Sequence, residues 1–235
     1  MLNFNRFKVL SFDCYGTLID WEKGILGALQ PVFGAHNINL SPEQALELYA
    51  ELEPEAQKEG QYVKYREVLR KVMQQFGSRL GFVPSKSELN CLANSLKNWL
   101  PFPDTVPALK TLKKNFKLAV ISNIDDDLFA FSARHLQVKF DWIITAEQAK
   151  SYKPSRRIFE YAMEKIGIPP DRMLHIAQSV YHDIIPAKAI GLSVVWVNRR
   201  KGQEGFGATR PAKCDSTLEI PDLKSLVSCM SLELQ

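Results

Sequence analysis

Asp13 stands where a short apolar run, Phe7-Lys8-Val9-Leu10-Ser11-Phe12, gives out, and Gly16 and Thr17 follow it directly. A carboxylate at such a strand end can serve as a nucleophile. Gly16 allows close backbone approach or a positive φ, and the Thr17 hydroxyl can hold an anionic group or orient the carboxylate. Three other places share this character. Ser122-Asn123 follows the run Lys117–Ile121, and Lys153, in Ser151-Tyr152-Lys153-Pro154, comes after Asp141–Ile144. Gln178, Ser179 and Asp183 come after Met173–Ala177. Each alone has an ordinary explanation, since Ser, Asn and Asp end strands and cap helices. Together they place a nucleophile, two hydrogen-bond donors, a cation and a second carboxylate at one edge of one sheet.

The elements that must position these groups are short apolar strands alternating with helices. A fifth run, Ser193–Val197, completes the set, and helical segments are expected around Leu128–Leu136, Ile158–Ile166 and Ile184–Ile190. The last two end at Gly167 and Gly191. Alternation of this kind predicts a parallel sheet covered on both faces, with ligands outside the carboxyl ends of its strands. Between Asp20 and Leu100 the signals are helical. Ser41-Pro42-Glu43-Gln44 and Ser85 with Glu88 are capping boxes, the first followed by apolar Ala45, Leu48, Tyr49 and Leu52. Tyr62, Tyr65, Leu69, Val72, Met73 and Phe76 repeat at helical spacing, with Gly77 as the expected stop. The chain therefore divides into an α/β core, residues 1–19 and 101–235, and a helical insertion, residues 20–100.

Composition bounds the function. A chain of 235 residues with 46% apolar and 24% charged residues is an ordinary globular protein, and a net charge of +4 gives no case for nucleic acid. Arg199-Arg200-Lys201 reads as a solvated loop after a strand. The four cysteines, Cys14, Cys91, Cys214 and Cys229, form no CxxC pair, which argues against a zinc site or a disulfide scaffold and suits a reducing cytoplasm. Cys14 reads as a packing residue. The N-terminal stretch lacks a signal-peptide core, and no run approaches membrane-spanning length, so the expectation is a soluble, cytoplasmic protein.

In order, DCYGT, ISN, SYKP and AQSVYHD resemble the four motifs of the haloacid dehalogenase superfamily, over a core from Arg6 to about Arg199. Within it the chain most resembles the type II L-2-haloacid dehalogenases, which also carry Tyr two residues after the nucleophile and use a helical cap. The resemblance implies a Rossmann-like core with residues 20–100 as cap. It also implies that Asp13 attacks substrate, forming an ester that water then hydrolyses. Thr17, Ser122 and Asn123 match the positions that hold the substrate's anionic end and the nucleophile. Lys153 matches the lysine that keeps Asp13 ionised, and Asp183 the motif-four acid tied to that lysine and to hydrolysis.

Superfamily phosphatases place a second Asp two residues after the nucleophile and hold Mg²⁺ with an acidic pair in motif four. Here those positions are Tyr15 and Gln178. A halide leaves without a proton, and Mg²⁺ wants carboxylate oxygens, so both departures point to carbon–halogen chemistry with no cofactor. The alternative is a phosphatase holding Mg²⁺ through Asp13, the Tyr15 carbonyl and Asp183. A non-catalytic binding protein on the same fold is a third reading. The dehalogenases receive halide on a cap arginine, yet Glu43 to Glu59 holds no Arg and six glutamates, Glu43, Glu47, Glu51, Glu53, Glu55 and Glu59. This run reads as a solvated helix face; any part of it turned to the site would repel an anionic substrate, and Arg66 or Lys64 is the spatial substitute for the arginine. Phe159 and Val180 replace a dehalogenase Tyr and Asn. Trp21 is expected to line the pocket at the entry to the cap, or to pack between the two parts. His175 reads as a satisfied core histidine, and His182 as the histidine better placed for a role near the site. A small-molecule substrate is expected, and the resemblance implies a homodimer.

Overall fold

The computed structural model describes residues 2–57 and 62–234; Glu59 lies outside them. Six parallel strands form one sheet: β1 (Val9–Phe12), β2 (Lys117–Ser122), β3 (Trp142–Thr145), β4 (Met173–Ala177), β5 (Ser193–Val197) and β6 (Leu218–Ile220). Their order is β3-β2-β1-β4-β5-β6. The chain builds outward from β1 in one direction and then returns to its other side, so β1 lies beside the reversal where doubly wound sheets bind ligands.

Period-two alternation sends side chains to both faces. Leu10, Phe12, Leu118, Val120, Leu174 and Ile176 enter one core, while Val9, Ala119, Ile121, Met173 and Val194 enter the other. The first four helices are α1 (Trp21–Ala35), α2 (Pro42–Gln57), α3 (Tyr65–Leu80) and the short α4 (Cys91–Ser95), all between β1 and β2 in sequence. After them come α5 (Thr105–Asn115), α6 (Asp126–Leu136), α7 (Ala146–Ala149) and α8 (Arg156–Ile166). The last two are α9 (Ile185–Ala189) and α10 (Leu223–Cys229). No helix among the described residues is long and apolar enough to cross a membrane. The inserted helices leave and rejoin the sheet at adjacent points: Asp20 N–H donates to the Leu100 carbonyl at 2.9 Å, and Ile19 bridges Pro101.

Both capping boxes form. Gln44 N–H donates to Ser41 Oγ at 3.1 Å, and Ser41 N–H to Gln44 Oε1 at 2.9 Å. Ser85 N–H donates to Glu88 Oε2 at 2.7 Å, but the segment after it is broken into short 3₁₀ and α turns. The stop expected at Gly77 is corrected: α3 runs to Leu80, and the left-handed residue is Gly81, with φ 78°. Gly77 is glycine for space, because a Cβ there would stand 2.6 Å from the Phe82 carbonyl oxygen. Tyr62 precedes α3 and is not part of it.

The solvated-loop reading of Arg199-Arg200-Lys201 is also corrected for two of its members. Arg199 pairs with Asp104 at 2.8 Å and donates to the Thr17 carbonyl, and its side chain is only 8% exposed. Arg200 pairs with Glu22 of α1 at 2.7 Å and Glu43 of α2 at 2.8 Å. Both guanidinium groups are drawn in by carboxylates far away in sequence. Lys201 stays exposed.

Candidate active site

The strand ends converge as their positions require. Asp13, one residue past β1, is buried, and its N–H donates to the Ile176 carbonyl, which fixes the carboxylate at the sheet edge. Thr17 Oγ donates to Asp13 Oδ2 at 2.7 Å and accepts from Gln178 N–H at 2.9 Å. The Thr17 hydroxyl thus joins the ends of β1 and β4. Gly16, at φ 90°, makes the turn that brings Thr17 back; a Cβ there would meet Trp21 at 2.9 Å.

Lys153 carries the centre of the site. Its ammonium, 1% exposed as a residue, donates to Asp13 Oδ1 and Asp183 Oδ1 at 2.7 Å each and to the Ile121 carbonyl at 3.0 Å. All three of its protons are used. Asn123 spends both ends of its amide on the Lys153 main chain, donating to the carbonyl at 3.0 Å and accepting from the N–H at 2.7 Å. It is a strap on the lysine as much as part of the wall. Behind Asp183 Oδ1 stands His175, at 3.0 Å, whose other ring nitrogen lies 2.9 Å from Ser11 Oγ. His175 is the satisfied core histidine expected, and it also braces the motif-four acid.

Burial works against the charged form of Lys153, but the two carboxylates outweigh it and raise its pKa, so it is an ammonium. Burial likewise pushes Asp183 up, and Lys153 and His175 together hold it below the usual carboxylate value. For Asp13, burial wins over the pull of Lys153, with Asp183 adding to it, and the carboxyl lies above its ordinary value. A carboxylate raised in this way is a better nucleophile than an exposed one, provided the lysine keeps it ionised.

These groups line a cavity of about 40 Å³, room for a few waters. Its wall holds Asp13, Tyr15, Ser122, Asn123, Lys153 and Asp183, with Ser179 and His182 beside them and Trp21, Glu53 and Tyr65 from the inserted helices. Ser122 Oγ and Asp183 Oδ2 are buried and have no hydrogen-bond partner. Tyr15 turns its hydroxyl to Ser132 Oγ at 2.8 Å, with its ring edge-on to Trp99, and burial drives its pKa well up. Trp21 lines the cavity, lies over Gly16 of the core and packs edge-on against Tyr49 of its own inserted helices. Gln178 does not reach the cavity. Its side-chain oxygen lies by Gly16 and Thr209.

Two substitutes named for the missing arginine lie elsewhere. Arg66 pairs with Asp127 at 2.5 Å, and Lys64 with Glu147 at 2.9 Å. The solvated reading of the acidic run needs correction at Glu53, which is buried in the cavity wall; Glu51 and Glu55 are exposed. Glu53 lies one helical turn after buried Tyr49, and that spacing is the signal that marks its face. Ser179, one of the strand-end polar residues, lines the cavity, whereas Tyr65 reads in the sequence only as part of the helical repeat and not as a site residue. His182, expected near the site, lines it; burial lowers its pKa to about 4, and its buried Nε2 is unpartnered. Cys14 is buried, in keeping with a packing role. Among the described residues no cluster of three or more His, Cys, Asp or Glu side chains could hold a metal ion.

A family model of haloacid dehalogenase-like hydrolases matches residues 7–191. The (S)-2-haloacid dehalogenase H-109 of Pseudomonas putida is 28% identical over 218 residues, 90% of this chain and 92% of that protein. A glyceraldehyde 3-phosphate phosphatase of Methanothermobacter thermautotrophicus is 28% identical over 200 residues, 81% of this chain and 85% of that one. The crystal structure of the L-2-haloacid dehalogenase PA0810 superposes with a TM-score of 0.80 at 22% identity, covering 96% of this chain and 99% of that one. With the fold, the order of the strand-end residues and the family match in agreement, this chain is a hydrolase of the haloacid dehalogenase-like family.

Proposed function

We propose that the protein hydrolyses a small 2-haloacid through a covalent ester at Asp13, with residues 20–100 acting as a cap over the α/β core of residues 1–19 and 101–235. The observation that carries this reading is Asp13 held between Thr17 and an ammonium shared with Asp183, with no second acid beside it at Tyr15. Asp13 attacks the halogen-bearing carbon, a C–O bond forms, and the carbon–halogen pair leaves on the halide. Ser122 Oγ, buried and unpartnered, offers a hydrogen bond to the substrate carboxylate. In the second half-reaction water attacks the Asp13 acyl carbon, the acyl C–O bond breaks, and the departing alkoxide takes up a proton and leaves as the 2-hydroxyacid. Asp183 Oδ2, free of partners while Lys153 and His175 hold Oδ1, orients that water and receives its proton. Splitting the displacement in two is what lets a carboxylate perform it.

The donor set speaks against a resident Mg²⁺. Asp13 and Asp183 already share the Lys153 ammonium, both Asp13 oxygens are engaged, and Gln178 brings no carboxylate. A hard cation would be one carboxylate short.

The test is a single turnover in ¹⁸O-water with short 2-haloacids, followed by mass spectrometry of the Asp13 peptide. The expected result is halide release, with ¹⁸O entering Asp13 and both signals abolished in Asp13→Asn. Phosphate release from small phosphoesters that requires Mg²⁺, without halide release, overturns the reading in favour of the phosphatase.

A further inference from the structure

The cap side of the cavity carries an acid where a halide would be expected to leave. The core supplies Asp13, Ser122, Asn123, Lys153, Ser179, His182 and Asp183; the residues that line the cavity from α2 and α3 are Glu53 and Tyr65. In-line attack by Asp13 sends the leaving group away from the core, toward these two groups. Glu53 is only 6% exposed. On its own helix Gln57 Nε2 donates to Glu53 Oε1, and Tyr49 places its hydroxyl 3.2 Å from that of Tyr65. Tyr65, from α3, hydrogen-bonds to Glu53, and Arg210 is the cation nearby from the loop after β5. Across the cavity stand Asp13, Lys153, Asp183 and neutral His182, the lysine fully used by the two aspartates and the Ile121 carbonyl. Burial raises the Glu53 carboxyl to about 7, against the pull of Tyr65 and Arg210, so it holds a proton through the mildly acidic range. An ionised Glu53 would repel any departing anion; a protonated one would donate to it.

We propose that Glu53, in its acid form, faces the leaving group and donates a hydrogen bond to it, so that the site favours substrates whose leaving group is a strong hydrogen-bond acceptor. This rests on Asp13 as the nucleophile and names the substrate class of that same site. Among 2-haloacids the leaving group is fluoride, the strongest hydrogen-bond acceptor of the halides. The step balances: Asp13 forms the C–O bond, the C–F pair leaves on fluorine, and the departing fluoride accepts the Glu53 O–H hydrogen bond, the proton staying on Glu53 because HF is the stronger acid.

The experiment compares wild type, Glu53→Gln and Glu53→Ala on 2-fluoropropionate, 2-bromopropionate and a small phosphomonoester across pH 5 to 9. Expected is a wild-type fluoride rate that falls about tenfold per pH unit above about 7, a limb absent in both variants. At pH 6 fluoride release should drop about 100-fold or more in Glu53→Ala, with bromide release changed only a few-fold, while Glu53→Gln, whose amide N–H still donates, keeps most of the fluoride rate without the alkaline limb. An unaltered fluoride-to-bromide ratio and pH profile in both variants overturns the proposal and leaves Glu53 as part of the Tyr49–Tyr65–Gln57 network. Phosphate release sensitive to both Glu53 variants, without halide release, overturns the dehalogenase reading while upholding Glu53 as donor to a proton-accepting leaving group.

Discussion

Lys153 is the residue on which the site's electrostatics turn, because one buried ammonium offsets two buried carboxylates. Lys153→Met leaves Asp13 and Asp183 facing each other without a cation, and one of them must take a proton. The expected cost is about 3–5 kcal/mol in urea unfolding at neutral pH, and a loss of at least 100-fold in the rate of ester formation. Glu53 gives a separate signature. Its folded carboxyl sits at about 7 against an ordinary 4.5. Its proton is fully retained in both folded and unfolded chains below the lower value, so its contribution is whole there and is lost as pH rises through about 7. That difference is worth about 3 kcal/mol. Urea titrations at pH 5 and pH 8.5 should therefore show Glu53→Gln gaining on wild type by roughly 2–3 kcal/mol at the higher pH. A gap independent of pH would mean that Glu53 is ionised throughout. The contrast between these residues also marks what the sequence allowed. Asp13, Thr17, Lys153 and Asp183 follow recognisable strand ends, so topology alone brings them together. Glu53 sits among five other glutamates, and charge suggested water; only its distance of one turn from Tyr49 told otherwise. Arg199 and Arg200 misled in the same way, since their partners Asp104, Glu22 and Glu43 are remote in sequence.

At the level of elements, local patterns carried what local energetics decide. The runs Met173–Ala177 and Ser193–Val197 are strands over those same residues, because a buried parallel strand needs continuous apolar chain. β6 went unread: Leu218-Glu219-Ile220 is three residues with a charge in the middle, and only pairing with β5 makes it a strand. The one-turn π-helix at Val180–Ile184 had no sequence signal either, yet it is what turns Asp183 inward and His182 toward the cavity. The start of α3 depends on a residue outside the inserted helices. Lys64, at its N-cap, makes no side-chain cap. Instead Asp125, between β2 and α6, accepts from Tyr65 N–H at 2.8 Å and Arg66 N–H at 3.1 Å, so a core carboxylate caps a helix of the insertion. Asp125→Ala should cost about 1–2 kcal/mol, as loss of an N-cap does. It should also speed amide exchange in the first turn of α3 while leaving β1 and β4 protected. Equal exchange in both places would show that the cap bond does not tie the two parts together.

For the whole molecule the question is how substrate enters a cavity of about 40 Å³. The space is narrow beside the side chains that line it, and on the proposed role of residues 20–100 as a cap the inserted helices move away and return, as lids over such sites do. The adjacent crossings at Asp20–Leu100 and Ile19–Pro101 give them a narrow hinge. Beside that hinge the Arg200 guanidinium binds Glu22 on α1, two residues past Asp20, and Glu43 on α2, and Gly207 N–H donates to Glu43 at 3.2 Å. The side chain is 14% exposed, so these charge-assisted bonds resist screening better than surface pairs. On the proposed closure of residues 20–100, opening about the hinge strains the bonds to Glu43 and closing restores them. Arg200→Met keeps the apolar stem and removes the latch, shifting the balance toward the open form. Because the chemistry lies elsewhere, the rate of ester formation at saturating substrate should change less than threefold, while KM rises about tenfold, equivalent to about 1.4 kcal/mol. Stopped-flow halide release and small-angle scattering measure the two consequences, the second as a larger radius of gyration without substrate. An unchanged KM with a lower rate of ester formation would place Arg200 in support of Asp13 through the neighbouring Arg199–Thr17 bond rather than in closure.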